Sequence, residues 1–593
     1  MKQKANHSNP ESLAAAIRAA RGLIDCDLVI KDVQFLDVFS GKFQLGDVGV
    51  YQGKIVGVGD QYHGPQEIDG AGQYLVPGFI DAHVHVESSL MTPARFQQAA
   101  LPCGTTTVIW DPHEIANVQG VAGIEWALAA SEGLALDFYI MVPSCVPSTS
   151  PELQLETSGA ILRPEDTSGF KTHPRVLGLA EMMNFPGLLA QDSEVMTKLN
   201  DYQMHLRDGH CPGLTGHDLN AYGAAGIHSC HESTCLEEAR EKLMKGIHVL
   251  IREGSCAKDA DALLPILNAY SSATLGLCSD DRNPADIAEE GHINAIINKA
   301  LQAGHEATDI FRAASFGPSL MYGLRDRGAI APGYLADFVL VSPKTSDKWQ
   351  SGLQVHAVYK AGILQKADAL QKIAEQQREI SQRKNLYLNP VQLTDMQIPV
   401  AARAQQIEAS VIGVIPRQIL TEHLKLSMLV KDGKLQVDLN QDVLKIGVFE
   451  RHHNSGGSAL ALVKGFQLKK GAIATSINHD SHNVISVGAS DAAMVEAINA
   501  LIQIDGGIVV VDGEGRQEAL PLPVAGLMTD QSPEQVTAAL LRLKALTREL
   551  GCQLEEPFLQ LSFLALPVIP SLKITDKGLV DVESFQVIPV CQP

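Results

Sequence analysis

The sequence predicts an α/β protein: a (β/α)8 TIM-like barrel, a small β-sandwich built from both flanks of it, and an extra C-terminal α+β domain. Three observations predict it. Short apolar runs alternate with helix-forming stretches from residue 77 to 326, the roughly 250 residues that eight strand–helix units need. Strand-and-turn text, β-branched and broken by glycine, brackets that region on both sides. A chain of 593 residues is also too long for one hydrophobic core, so separate domains are expected.

Taken in order, residues 1–27 form an extension whose Ser12-Leu-Ala-Ala-Ala-Ile-Arg-Ala-Ala-Arg21 favours a short helix. Leu28-Val-Ile30, Val48-Gly-Val50 and Lys54-Ile-Val-Gly-Val58 read as strands, and similar text returns at 328–341 and 355–362. Residues 28–76 plus 327–365 are therefore predicted to build one sandwich beside the barrel of 77–326. Barrel strands are predicted at 105–110, 138–142, 176–180, 247–251 and 274–278. A doubly wound sheet is the alternative, but no Gly-x-Gly-x-x-Gly follows an early strand. Residues 366–395 read as a polar connector, helical over 367–384, and 396–593 as a further domain with strands at 445–449 and 507–511.

The balance of charge disfavours some partners. A formal net charge of −21 speaks against nucleic-acid duplexes and anionic membranes; a free nucleobase carries no phosphate and is unaffected. No apolar stretch approaches the roughly 20 residues that span a bilayer. Met1-Lys-Gln-Lys-Ala-Asn-His-Ser8 lacks the apolar core of a signal peptide. Ten cysteines with no framework spacing and no Cys-x-x-Cys pair read as reduced thiols, so a cytoplasmic protein is expected.

Residues that carry chemistry fall where barrel strands end. His83-Val-His85 closes the run Tyr74-Leu-Val-Pro-Gly-Phe-Ile-Asp81, placing two imidazoles on one face of a strand end, where they can share a divalent cation. Alone, His-x-His is a weak signal that many solvated loops carry. Here Glu181 follows the strand at 176–180, and His210 stands in Asp208-Gly-His-Cys-Pro-Gly213. His231 stands in His228-Ser-Cys-His-Glu-Ser233 and Asp280 in Leu277-Cys-Ser-Asp-Asp281. Four imidazoles and two carboxylates suffice for two cations with a bridging carboxylate and a bridging hydroxide. Any one of them could be a solvated turn residue or a satisfied core histidine; all six at successive strand ends make coincidence a poor account.

With these residues the chain resembles the amidohydrolase superfamily. The His-x-His, the two later histidines and the closing aspartate match its order, and Gly328-Ala-Ile-Ala-Pro-Gly-Tyr-Leu-Ala-Asp337 matches its β-sandwich return. Many members bridge their metals with a carboxylated lysine; here the corresponding strand end offers Glu181. Within the superfamily the chain resembles the bacterial adenine deaminases. That likeness is carried by Pro77-Gly-Phe-Ile-Asp-Ala-His-Val-His-Val-Glu-Ser-Ser-Leu-Met91, Asp111-Pro-His-Glu-Ile-Ala-Asn117 and Cys278-Ser-Asp-Asp-Arg-Asn-Pro284, with His479-Asp-Ser-His-Asn483 near the end. It covers nearly the whole chain from about residue 28.

The resemblance implies hydrolytic removal of the amino group of adenine, giving hypoxanthine and ammonia in purine salvage or catabolism, by a metal-bridged hydroxide attacking C6. It implies two divalent ions, manganese or iron(II), with zinc compatible by ligand type, held by His83, His85, Glu181, His210, His231 and Asp280. Asp280 is then the natural general base, binding one metal and passing the hydroxide proton to the departing amine. Glu232 is a candidate proton donor to purine N1, or else a helix-start carboxylate favoured by the dipole. His113 and Glu114 are read as extra ligands or substrate contacts, and Asp281 and Ser279 as readers of the purine edge or as loop caps. His452, His453, His479, Asp480 and His482 are read as a polar loop packed on the barrel mouth, in preference to another metal site, with a lid that closes over adenine as an intermediate reading, and Arg252-Glu-Gly-Ser255 could line the pocket. The expected partner is free adenine, with no nucleic acid and no membrane, and the large extra domain makes a homodimer the expected assembly.

His85-Val-Glu87 also matches the His-x-Glu of cytidine-type zinc deaminases, but Pro102-Cys103 leads into Gly-Thr-Thr and completes no Pro-Cys-x-x-Cys. The rival enzyme is another amidohydrolase, such as an N-acetyl-sugar deacetylase, which can also use a glutamate bridge. A cyclic-amide hydrolase is disfavoured because no lysine stands at that strand end. A non-catalytic scaffold on the same fold would have lost ligands, and all six positions here carry competent side chains.

Overall fold

The computed structural model describes residues 9–345, 348–377, 384–400 and 405–591. Eight parallel strands ring its centre. They are β1 (Phe79–Val84), β2 (Thr105–Trp110), β3 (Asp137–Val142), β4 (Val176–Met182), β5 (Leu206–Gly209), β6 (Ser229–Cys230), β7 (His248–Arg252) and β8 (Leu275–Cys278). β1 to β5 pair in sequence, as do β6 to β8. The ring closes through a parallel bridge between Val84 and Asp280, and through the His228 N–H, which donates to the Arg207 carbonyl at 3.0 Å. The apolar runs predicted as barrel strands become β2, β3, β4, β7 and β8.

Local sequence explains the strands. β2 is Thr-Thr-Thr-Val-Ile-Trp, β-branched and buried throughout, which suits a strand covered on both faces. It begins after Gly104, whose φ of 94° and approach to the Phe79 ring leave no room for a side chain. Ile80, Ala82, Ile109, Met141, Ala180 and Leu250 pack with Met321 and Tyr322 inside the ring.

The two flanks of the barrel meet in one eight-stranded sheet. Strand Tyr74–Pro77 pairs with Leu28–Asp37 in parallel and with Phe338–Pro343 antiparallel. The segment that leads into β1 is thus stitched to the segment that leaves the barrel. Ahead of this sheet, helix Pro10–Ala20 starts at Asn9, whose side chain accepts from the Ser12 N–H at 2.8 Å. The helix predicted at 367–384 is present as Ala367–Gln376; residues 378–383, like the segment 1–8, lie outside the described residues.

The C-terminal part holds a nine-stranded sheet, from Gln406–Val414 to Gln517–Pro521, and a three-stranded one. Helix Pro533–Glu549 starts with proline behind Ser532, and Ser532 and Gln535 cap one another reciprocally. This part sits on the loops after β1, β2, β3 and β8. Thr529 N–H donates to the Leu90 carbonyl at 2.9 Å, and Ile115 packs against Val524 and Met528. Thr157 N–H donates to Asp576 Oδ1 at 2.8 Å, and the Thr537 hydroxyl to the Pro284 carbonyl at 3.2 Å. In a barrel these loops form the functional face, so the C-terminal part covers the place where the strand-end residues gather.

Candidate metal centre

β1 delivers its two histidines because its alternation breaks. Between Asp81 and Val84 it carries one residue more than β2 does between Val108 and Trp110. A bulge of this kind re-aims side chains and shifts the face on which alternation continues. Ile80 and Ala82 fill the barrel, and His83 and His85 follow them inward at its mouth. β4 has the same extra residue between Leu179 and Met182 relative to β5, and it brings Glu181 to the same place.

The ligand atoms converge. His83 Nε2 and His85 Nε2 lie 3.1 Å apart, close to the roughly 3.4 Å separating two nitrogens on one tetrahedral cation. Asp280 Oδ1 is 3.6 Å from the first and 3.2 Å from the second; Glu181 Oε1 is 3.6 and 3.3 Å from them. Glu181 Oε2 faces the other pair, His210 Nδ1 at 2.6 Å and His231 Nε2 at 3.2 Å. One carboxylate therefore offers an oxygen to each pair of imidazoles. His83–His85–Asp280, His83–Glu181–His231 and His210–His231–Glu232 each gather their ligand atoms within 4.8 Å, all buried. Protonated, four crowded imidazoles would repel one another; neutral, their facing lone pairs have too few donors. Divalent cations resolve both conflicts, so the donor set fits a two-metal site.

Electrostatics sort the acids. Burial opposes ionisation of Asp280, but its hydrogen bond with His85 and the charge of Arg252 outweigh it and hold the carboxyl well below its usual range. Glu181 is likewise buried and likewise held low, by His231, His113 and His210. Burial and the charge of His231 keep His83 well below the usual imidazole value, in the neutral form that binds metal. Glu232 starts ionised, so it must take up a proton before it can give one. It pairs with Arg252, and that charge with those of His210 and His231 overcomes burial and holds it ionised. The Arg252 guanidinium also donates to Asp280 Oδ2 at 3.1 Å and to Asp259 Oδ2 at 2.9 Å, a role that the sequence left open.

The remaining expected residues divide. His113 reaches Asp111 Oδ2 at 3.0 Å, Glu181 Oε1 at 3.4 Å and Glu114 Oε1 at 3.2 Å. Asp281 lines the cleft and accepts from the Ser88 hydroxyl. Ser279 turns away: its N–H and hydroxyl donate to Asp81 at 3.0 and 2.5 Å, a loop cap. The C-terminal histidine cluster divides as well. His452 and His453 do pack, on the carbonyls of Ser481 and Ser158 at 2.7 and 3.0 Å. His479 and Asp480 instead line the cleft; His479 Nδ1 lies 2.5 Å from Glu114 Oε1, and Glu114 Oε2 accepts from His482 Nε2. A buried carboxylate after β2 needs partners, and the docked C-terminal domain supplies them. Asp111, Ile419, Phe563 and Leu566 were not anticipated; only Asp111, directly after β2 and before Pro-His, carried a signal. One cleft is lined by His85, Glu181, His210, His231 and Asp280 from the barrel and by His479, Asp480 and Phe563 from the C-terminal part.

Comparison with known proteins follows the same division of the chain. The amidohydrolase family matches residues 74–364, and the adenine deaminase C-terminal domain matches residues 418–586. Adenine deaminase 1 of Rhizobium etli is 45% identical over 567 residues, covering 96% of this chain and 98% of that protein. The adenine deaminase of Cereibacter sphaeroides is 45% identical over 581 residues, covering 98% of this chain and 100% of that one.

Proposed function

This chain belongs to the adenine deaminases of the amidohydrolase family, and on that premise we propose that its cleft hydrolyses adenine to hypoxanthine and ammonia. The observation that carries the reading is Glu181, with one oxygen turned to each imidazole pair. His83, His85 and Asp280 would hold one divalent ion with Glu181 Oε1, and His210 and His231 a second with Oε2. Bound there, the ions supply the Lewis acidity that makes water nucleophilic at neutral pH. Manganese or iron(II) is the proposed occupant, with zinc compatible, because the donors are imidazole and carboxylate without thiolate.

The protein's own acids move the protons. Water adds its oxygen to C6. Glu232, ionised at the start by Arg252, takes one proton from that water and delivers it to N1 as the ring becomes tetrahedral. Asp280, steered by the same guanidinium, takes the other and hands it to the departing amine, so that C6 becomes a carbonyl and ammonia leaves. His113 and Asp281 are assigned to substrate contacts at the rim. A cytoplasmic homodimer acting on the free base completes the proposal; all ten cysteines being unpaired supports a reducing compartment.

The test is to express the protein with manganese or iron, quantify bound metal, and follow adenine by ultraviolet absorbance beside Asp280→Asn. About two metals per chain, with hypoxanthine and ammonia formed only by the unmutated protein, is the expected result. A loaded protein that leaves adenine intact would overturn the substrate assignment and direct the search to N-acetyl and cyclic amides.

A further inference from the structure

Part of the cleft wall comes from the C-terminal domain: Ile419, His479, Asp480, Phe563 and Leu566. These residues differ in kind from those of the barrel. Phe563 stacks face to face on the His479 imidazole, with centroids 4.4 Å apart and planes at 7°. It packs with Leu566 and Ile419 into an apolar wall. At the edge of that wall, among the described residues, His479 Nε2 and Asp480 Oδ2 have no hydrogen-bond partner. The two residues are only 2% and 1% exposed. Buried polar atoms are rarely left unpaired, and at a cleft they mark what a ligand must supply.

We propose that this surface reads the N3/N9 edge of the purine: Asp480 accepts the N9–H, His479 donates through Nε2 to N3, and Phe563, Leu566 and Ile419 cover the ring. The inference rests on the adenine reading above and names the element that makes a free base, not a nucleoside, the substrate. His113 measures the gap that the base would span. Its Nδ1 is 3.4 Å from Glu181 Oε1 and its Nε2 3.8 Å from Asp480 Oδ1. A purine lying beside that imidazole with C6 toward Glu181 and Asp280 turns its other end to Asp480. There N3, an acceptor, stands next to N9–H, a donor, and the adjacent residues His479 and Asp480 present the complement. Glu114 lies 2.5 Å from His479 Nδ1, and a carboxylate there favours the imidazolium, which also carries a proton on Nε2. A substituent on N9 removes the donor that Asp480 awaits and brings bulk against its carboxyl group.

The experiment uses manganese-loaded protein with adenine turnover as its baseline. Inhibition constants of hypoxanthine and 9-methylhypoxanthine are measured for the unmutated protein and for Asp480→Ala, with bound metal quantified in both. The unmutated protein is expected to favour hypoxanthine by at least about tenfold, because a site built to pair a buried polar group rejects the analogue that cannot. Asp480→Ala is expected to lose that preference, to lose kcat/KM for adenine mainly through KM, and to keep its metal. Undiminished preference in Asp480→Ala overturns the proposal, and so does loss of a metal equivalent, which would make Asp480 a ligand beside His113 and Glu114. Equal binding of the two bases by the unmutated protein overturns it without any variant. Absence of adenine turnover by the loaded, unmutated protein would sink the parent reading and this one with it, whereas turnover with unchanged preference sinks this one alone.

Discussion

The two halves of the cleft are built by opposite means. On the barrel side, His83, His85, Glu181 and Asp280 project from strands or from residues bridged to them, and their charges are met by neighbours. On the other side, His479, Asp480, Phe563 and Leu566 come from segments without regular strand pairing, present a ring and aliphatic groups, and leave polar atoms unpaired. The first half is a frame of paired strands in which each charge meets an opposite one. The second is a fitted cover. Catalysis needs the former because misplaced charge loses rate steeply; recognition can be carried by the latter because it depends on shape and a few directed hydrogen bonds. A barrel competent for hydrolysis and a cover that selects its substrate can then vary separately.

The strongest way to break this division is at the bridge. Glu181→Gln should reduce bound metal from about two per chain to one or fewer and lower kcat by at least about 10³-fold, read by metal analysis and the adenine assay together. Two retained metals with near-normal turnover would show that the barrel half does not depend on its bridging charge. Arg252→Met comes next. Arg252 is 2% exposed and serves Glu232, Asp259 and Asp280. Its removal leaves three carboxylates without their shared cation, at a cost of about 3–5 kcal/mol, seen as a lower midpoint of unfolding. It should also lower kcat by about 10²-fold through the unsteered acids. Phe563→Ala should do the reverse on the cover side: KM for adenine up about tenfold, with kcat within about twofold of the unmutated protein. A fall in kcat at constant KM would mean that the cover takes part in the chemical step.

The same contrast explains what could be read from the sequence. The candidate ligands His83, His85, Glu181 and Asp280 were legible because each follows an apolar run, and strand ends in a barrel share one face; His210 and His231 follow the short strands Leu-Arg-Asp-Gly and Ser-Cys and were legible only from residue type and order. The bulges in β1 and β4 were not. Strict alternation would send Ala82 and His83 to opposite faces, and only pairing with β2 reveals the extra residue. That Glu232 starts ionised was not legible, because its partner Arg252 lies 20 positions away on the neighbouring strand, so the charge that keeps it so is a tertiary fact. His453 and His482 look alike in sequence, each in a polar loop. One packs on the Ser158 carbonyl; the other reaches Glu114 across 368 positions of chain. Phe563 carried no local signal at all, since an aromatic residue after a short amphipathic stretch is ordinary core text.

The smallest expected effect lies behind the cover. Lys573 is fully buried, and its ammonium donates to the carbonyls of Ile419 at 2.7 Å and Phe563 at 3.0 Å, both residues of the apolar wall. Where the barrel half meets each charge with an opposite one, here burial acts largely unopposed and pushes the amine from 10.5 down to about 7. Between about pH 7 and 10.5 the unfolded chain therefore holds a proton that the folded chain has released. Stability must rise with pH across that window and be level below it. Lys573→Met removes this dependence and adds a pH-independent cost for two carbonyls that lose their donor. The difference in apparent Tm, variant minus unmutated, should thus be most positive at and below neutrality. It should fall by about 1–3 °C on going to pH 10. A difference that does not change with pH would mean that Lys573 keeps the same proton in both states, and that the cover, like the barrel, is built around a compensated charge.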